Sequence, residues 1–142
     1  MNTIIIEIIN ADAVKVFDAW ADSNKLSVWF TTNAKSDFRV NGKYSNNDGD
    51  EGKFLEIISG KLIRFTWDNK QHCPGTEVTV EFAEKAPAKT EIKITHQKLP
   101  SQDHVNSMNE GWSWAVQSLK SYLETGVPVS YEAWKNNREI KS

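Results

Sequence analysis

Between residues 3 and 9, Ile4, Ile6 and Ile8 interleave with Thr3, Ile5, Glu7 and Ile9, a β-branched run that predicts a strand. The period changes after Asp12, whose carboxylate suits the free amides of a first helical turn. Ala13, Val16, Phe17 and Trp20 then recur at spacings of three and four, the stripe of an amphipathic helix. Residues 21–24 break the stripe. Residues 25–30, with Leu26, Trp29 and Phe30, predict a second short helical turn.

From residue 37 to 96 the period is two. Phe38 and Val40 precede Asn41-Gly42, and Tyr44 leads into a polar loop over 46–51. Segments 54–58 and 62–67 flank Ser59-Gly60, which reads as a two-residue hairpin turn. Val78, Val80 and Phe82 alternate with Thr79 and Glu81, and Ile92 and Ile94 with Lys93 and Thr95. One face is apolar and the other wet, as in an antiparallel sheet covered on one side.

The pattern returns to a helical period at Val105, Met108, Trp112, Ala115, Leu119 and Tyr122, widened by Val116 and Leu123. Ser107 and Glu110 have capping-box spacing, with an earlier start near Asp103 as the alternative; Gly126 and Pro128 stop the helix. At about 1.5 Å per residue this helix is roughly 33 Å long, enough to cover a sheet. Residues 128–142 predict one more short helix, capped by Ser130 and carrying Tyr131 and Trp134. The order implies an α+β fold: a curved antiparallel sheet of about six strands wrapped around a long C-terminal helix, with two short helices after the first strand. Residues 1–127 are expected to form the domain, and 128–142 a tail that is not a domain of its own.

Composition adds one unusual feature. Among 142 residues there are six Trp, six Phe and three Tyr, more rings than a small core strictly needs, so some are expected to line a pocket. With 39% hydrophobic and 25% charged residues, neither a disordered chain nor a membrane protein fits. The net charge of −2 and scattered basic residues argue against a nucleic-acid partner. No apolar run approaches the roughly 20 residues of a membrane span, so no membrane insertion is expected. Cys73 is alone, which excludes an internal disulfide and a multi-cysteine metal site. The first residues lack a charged segment and a small-residue cleavage site, which points to a reduced, cytoplasmic protein.

A two-residue turn at Ser59-Gly60 would set Glu56 opposite Ile63 and Phe54 opposite Phe65. Glu56 would then point inward beside Phe54, Ile63, Phe65 and Trp67, while His96 shares the face of Ile92 and Ile94. Two titratable groups in an aromatic-lined space are candidate polar anchors for a ligand. The alternatives are a Glu56 satisfied by a backbone amide or an Arg, and a structural His96. Trp112 belongs to the core-facing stripe, and Trp114, about 200° around the helix, to a rim or contact surface. Asp48, Asp50 and Glu51 lack the spacing of a calcium loop, and Cys73 beside His72 does not make a catalytic pair. No catalytic residue, cofactor or metal ligand is assigned.

Several stretches resemble, in order, proteins related to the activator of the heat-shock protein 90 ATPase. They are Val16-Phe17-Asp18-Ala19-Trp20 with Trp29-Phe30, the segment from Phe38 to Tyr44, residues 52–56 with 62–67, Thr95-His96, and Gly111-Trp112 followed by Leu119. The resemblance implies a START-like helix-grip fold, of the kind found in Bet v-type proteins, with a hydrophobic cavity between sheet and C-terminal helix. The wider superfamily contains lipid and hormone binders, polyketide cyclases and domains of aromatic-ring hydroxylases. Eukaryotic relatives that stimulate the chaperone carry a further chaperone-binding domain, for which a chain of this length has no room.

The expected function is therefore non-catalytic binding of a small apolar or amphipathic ligand, by a monomer or weak dimer. Phe54, Phe65, Trp67, Phe82, Met108 and Trp112 would supply the walls, and Glu56 and His96 the polar anchor. The alternatives are an accessory that contacts the 90-kDa chaperone through its surface, and a cyclase- or hydrolase-type enzyme using Glu56 or His96.

Overall fold

Ile9, Val16, Val78, Ile92 and Leu119 have no exposed surface, and they come from both ends and the middle of the chain. A computed structural model, describing residues 1–69 and 73–141, shows how they meet. Strand β1 (Thr3–Ile9) is followed by helices α1 (Ala13–Ala21) and α2 (Ser23–Trp29). Strands β2 (Lys35–Ser36), β3 (Lys43–Ser45), β4 (Glu51–Ile58), β5 (Leu62–Asn69), β6 (Cys73–Ala86) and β7 (Lys89–Gln97) follow, then α3 (Gln102–Thr125) and α4 (Tyr131–Lys141). All strands pair antiparallel in the order β1-β7-β6-β5-β4-β3-β2, a seven-stranded sheet against the six expected; β2, only two residues long, is the addition.

The helices cover one face of this sheet. α3 is tied to β1 by Gln117 Nε2 donating to Glu7 Oε2 (2.7 Å) and Asn109 Nδ2 donating to Thr3 Oγ1 (2.8 Å). The Ser118 hydroxyl, fully buried, donates to the carbonyl of Trp29 at 2.6 Å and ties α3 to α2. Helix ends follow the sequence with three changes. α2 starts at Ser23, inside the expected break, with the Asp22 carboxylate accepting from the amides of Asn24 and Lys25. α3 is capped by Ser101, whose hydroxyl accepts from the His104 amide, ahead of Ser107 and Asp103. Asp12 precedes α1 but makes no side-chain cap; its Oδ1 accepts instead from the N–H of Ala88 across the sheet. Gly126 ends α3 in the left-handed region at φ 83°, where glycine carries no Cβ penalty.

The β4–β5 hairpin departs from the expected register in an informative way. Its loop has three residues, Ser59 to Lys61, so Ile58 pairs with Leu62, Ile57 with Ile63 and Glu56 with Arg64. A bulge between Phe54 and Glu56 then absorbs one residue and restores the expected Phe54–Phe65 pair. The two errors cancel at Phe54 but not at Glu56. Glu56 therefore faces outward, opposite the expectation, where its Oε1 lies 3.5 Å from Arg64 Nε. Arg64 also bonds Glu77 (2.6 Å), and Lys98 Nζ reaches Glu77 at 3.2 Å, an ion-pair cluster on the outer face that holds the Glu77 carboxyl below its usual range.

Candidate functional site

Beneath α2, between the helices and the β3–β5 end of the sheet, lies a cavity of about 50 Å³. Trp20 of α1, Leu26 of α2, Tyr44 of β3, Phe54 of β4, and Ile63, Phe65 and Trp67 of β5 form its walls, with Phe30 beside them. A void of about 150 Å³ is what takes up benzene in an engineered protein, so this one, as it stands, is too small for a single aromatic ring. The excess of rings thus fills the space between sheet and helices more than it lines it. The reason is visible at one residue.

Phe30 stands where α2 ends, its amide bonded to the carbonyl of Leu26. Its ring centroid lies 5.3–6.3 Å from the rings of five tryptophans: Trp20, Trp29, Trp67, Trp112 and Trp114. It is stacked on Trp112 with only 4° between the planes. Phe30 also borders a more open recess of about 140 Å³, formed with Asp48, Asp50, Trp67, Met108, Gly111, Trp112 and Trp114. Phe30 and Trp67 border both spaces, and Phe30 also borders a surface groove alongside Trp114, Pro128 and Tyr131. One half-buried phenyl ring therefore stands between the smaller, mostly apolar space and two more open ones.

Tyr44 separates the same void from the outside at the strand edge. It crosses β4 over Gly52, and its hydroxyl donates to the carbonyl of Thr66 on β5 at 2.5 Å. A Cβ at position 52 would sit 2.1 Å from that carbonyl oxygen, so only glycine permits the crossing. Burial, with the nearby carboxylates of Asp50, Asp68 and Glu51, raises the Tyr44 phenol and keeps it protonated.

His96 is fully buried in the sheet–helix core, on the face of Ile92 and Ile94 as the alternation predicts. The indole N–H of Trp112 donates to its Nδ1 at 3.0 Å, so the proton sits on Nε2. That N–H donates to Thr76 Oγ1 at 2.7 Å, and the Thr76 hydroxyl donates in turn to the carbonyl of Trp67. Burial pushes the imidazole down to about 4, so it is neutral at physiological pH. Both nitrogens are committed. His96 borders neither the void nor the recess, which corrects its expected place as a ligand anchor.

The sequence from residue 10 to 124 matches the family model described as Activator of Hsp90 ATPase homolog 1-like protein. The chain belongs to that family. No curated protein matches the sequence. Among solved structures, CalU16 from Micromonospora echinospora superposes with a TM-score of 0.82 at 22% identity, over 97% of this chain and 82% of its own. The Aha1 dimer from Colwellia psychrerythraea follows at TM-score 0.79 and 22% identity, over 89% and 98%. An Hsp90 activator from Plasmodium falciparum gives 0.71 at 27% identity, over 80% and 88%.

On this family fold, Phe54, Phe65 and Trp67 border the void, and Met108 and Trp112, with Trp67, border the recess across Phe30. Phe82 is buried but packs edge-on against Phe17 of α1 at 5.4 Å, outside both spaces. Glu56 lies on the opposite face of the sheet. Neither titratable candidate for proton transfer thus borders the void. The sequence pattern places Trp20 on a packing stripe and Phe30 in a short turn, yet both form the site. The available signal was the apolar set Leu26, Trp29 and Phe30 ending α2, too large for a seven-residue surface helix. Among the described residues no group of three or more His, Cys, Asp or Glu is placed to hold a metal, and no helix is long and apolar enough to cross a membrane.

Proposed function

We propose that the protein binds a small apolar or amphipathic molecule, without catalysing a reaction on it, in the space now closed by Phe30. The observation that carries this reading is that Phe30 and Trp67 border both the 50 Å³ void and the 140 Å³ recess. Rotation of one phenyl ring would join the two and leave the ring's own volume free as well. Covering about 200 Å² of apolar ligand surface contributes roughly 5 kcal/mol before association costs. We place such a protein in the cytoplasm, as a monomer or weak dimer, with residues 128–142 a tail on the same domain. Native mass spectrometry of freshly purified protein tests the reading. A copurified small molecule that is lost on substituting Ala34, which borders the void, by Phe supports it; a molecule retained by that variant argues against this site.

A second reading is contact with the 90-kDa chaperone, favoured by the similarity to the Plasmodium falciparum Hsp90 activator over 80% of this chain. Pull-down with the host chaperone and its ATPase assay separate the two. A recess-filling Met108→Trp variant leaves chaperone contact intact if that contact uses the surface, and abolishes ligand binding under the first reading.

A further inference from the structure

We infer that the molecule taken up beneath Phe30 is flat and carries a hydrogen-bond acceptor, received by the indole N–H groups of Trp20 and Trp67. This rests on the binding reading above and specifies the ligand for that same site. Trp29 Nε1 donates to the carbonyl of Ala19, Trp112 to His96, and Trp114 to the carbonyl of Val129, all within 3.0 Å. Trp20 and Trp67, more than nine-tenths buried, have no acceptor among the described residues. A buried donor without a partner is rare in folded proteins, because it loses its bond to water and gains nothing in return.

These are the two tryptophans that border the void, one from α1 and one from β5. Both rings lie 6.3 Å from the ring of Phe30. A molecule replacing Phe30 would therefore lie beside both indole rings. An indole only donates, so the complementary group is an acceptor. Ser36, whose buried hydroxyl also lacks a partner, stands in the same wall. Lys35, which borders the void, is exposed, and Asp48 and Asp50 border the recess, so a neutral acceptor such as a carbonyl fits better than a desolvated carboxylate. Flatness follows from the 4° stack of Phe30 on Trp112, a slot that accepts a ring face.

Acetophenone and isopropylbenzene have nearly the same shape and differ in the carbonyl. The test follows the six indole N–H signals of 15N-labelled protein, assigned by single Trp→Phe changes, in the wild type and in Phe30→Ala, with Phe30→Leu as the milder variant. Both probes are expected to bind Phe30→Ala, and only acetophenone to move the Trp20 and Trp67 protons downfield. Adding Trp20→Phe or Trp67→Phe is expected to weaken acetophenone about tenfold and to leave isopropylbenzene within about twofold. If both probes bind but neither indole responds to the carbonyl, the acceptor inference is overturned and the binding reading stands. If neither probe binds folded Phe30→Ala or Phe30→Leu, the binding reading itself fails.

Discussion

Trp112 Nε1 and His96 Nδ1 lie 3.0 Å apart, a distance at which the indole N–H donates to the imidazole and leaves no place for a second proton. With the folded value down at about 4 and an unfolded value near 6.5, the unfolded chain takes up a proton that the folded one refuses. Stability from this residue is complete above pH 6.5 and is lost as pH falls from there toward 4, by on the order of 3 kcal/mol. Urea unfolding at stepped pH should show that slope. His96→Gln, whose amide can accept from Trp112 and donate to Thr76, should flatten it. An unchanged slope in the variant would place the titrating group elsewhere.

Gly111 lies inside α3, and a Cβ there meets nothing within 4 Å. Gly111→Ala should therefore stabilise the protein by about 0.8–1 kcal/mol through helix propensity alone, read as a higher urea midpoint. The added methyl enters the recess bordered by Met108 and Trp112, so ligand affinity should fall while stability rises. Stability and affinity rising together would contradict the placement of the ligand.

Gly52 behaves in the opposite sense. Gly52→Ala puts a methyl 2.1 Å from the Thr66 carbonyl and 2.8 Å from the Tyr44 ring, and one of them must move. A loss of about 3 kcal/mol is expected in chemical denaturation, with Tyr44 displaced from Thr66. Tyr44→Phe should cost about 1 kcal/mol by comparison, since it removes only one hydrogen bond.

Glu56→Gln should change little. Its ion pair with Arg64 is long and half exposed, so a shift within about 0.5 kcal/mol is expected, with no effect on ligand binding. A large loss of binding in this variant, measured by fluorescence titration, would return Glu56 to the interior.

Alternation alone places β6 and β7 and puts His96 on the core face, because a one-residue slip would expose Val78, Val80, Ile92 and Ile94; on β1 isoleucines occupy both faces, and Ile4, Ile6 and Ile8 are the exposed ones. The hairpin was harder. A three-residue loop and a bulge at Leu55 each shift register by one, and no local pattern around Ser59-Gly60 separates two compensating shifts from none. The site residues divide along the same line. Phe54, Phe65 and Trp67 follow from period-two counting, whereas Phe30 ends a helix and owes its position to five tryptophans from three other segments and its own helix. Nor is the size of a cavity a property of the pattern: the same rings can fill a space or surround it, and only their packing decides.

Thermal titration of the wild type beside Ala34→Phe bears most directly on the claim that a small molecule binds under Phe30. Fatty acids, flavonoids and polyketides serve as ligands, each taken to saturation. A ligand at 100 times its dissociation constant stabilises by about 2.7 kcal/mol, which should raise the wild-type Tm by several degrees for at least one class. Ala34→Phe, with the void filled, should show no rise. Equal rises in both proteins, or none in the wild type with any class, would contradict the account.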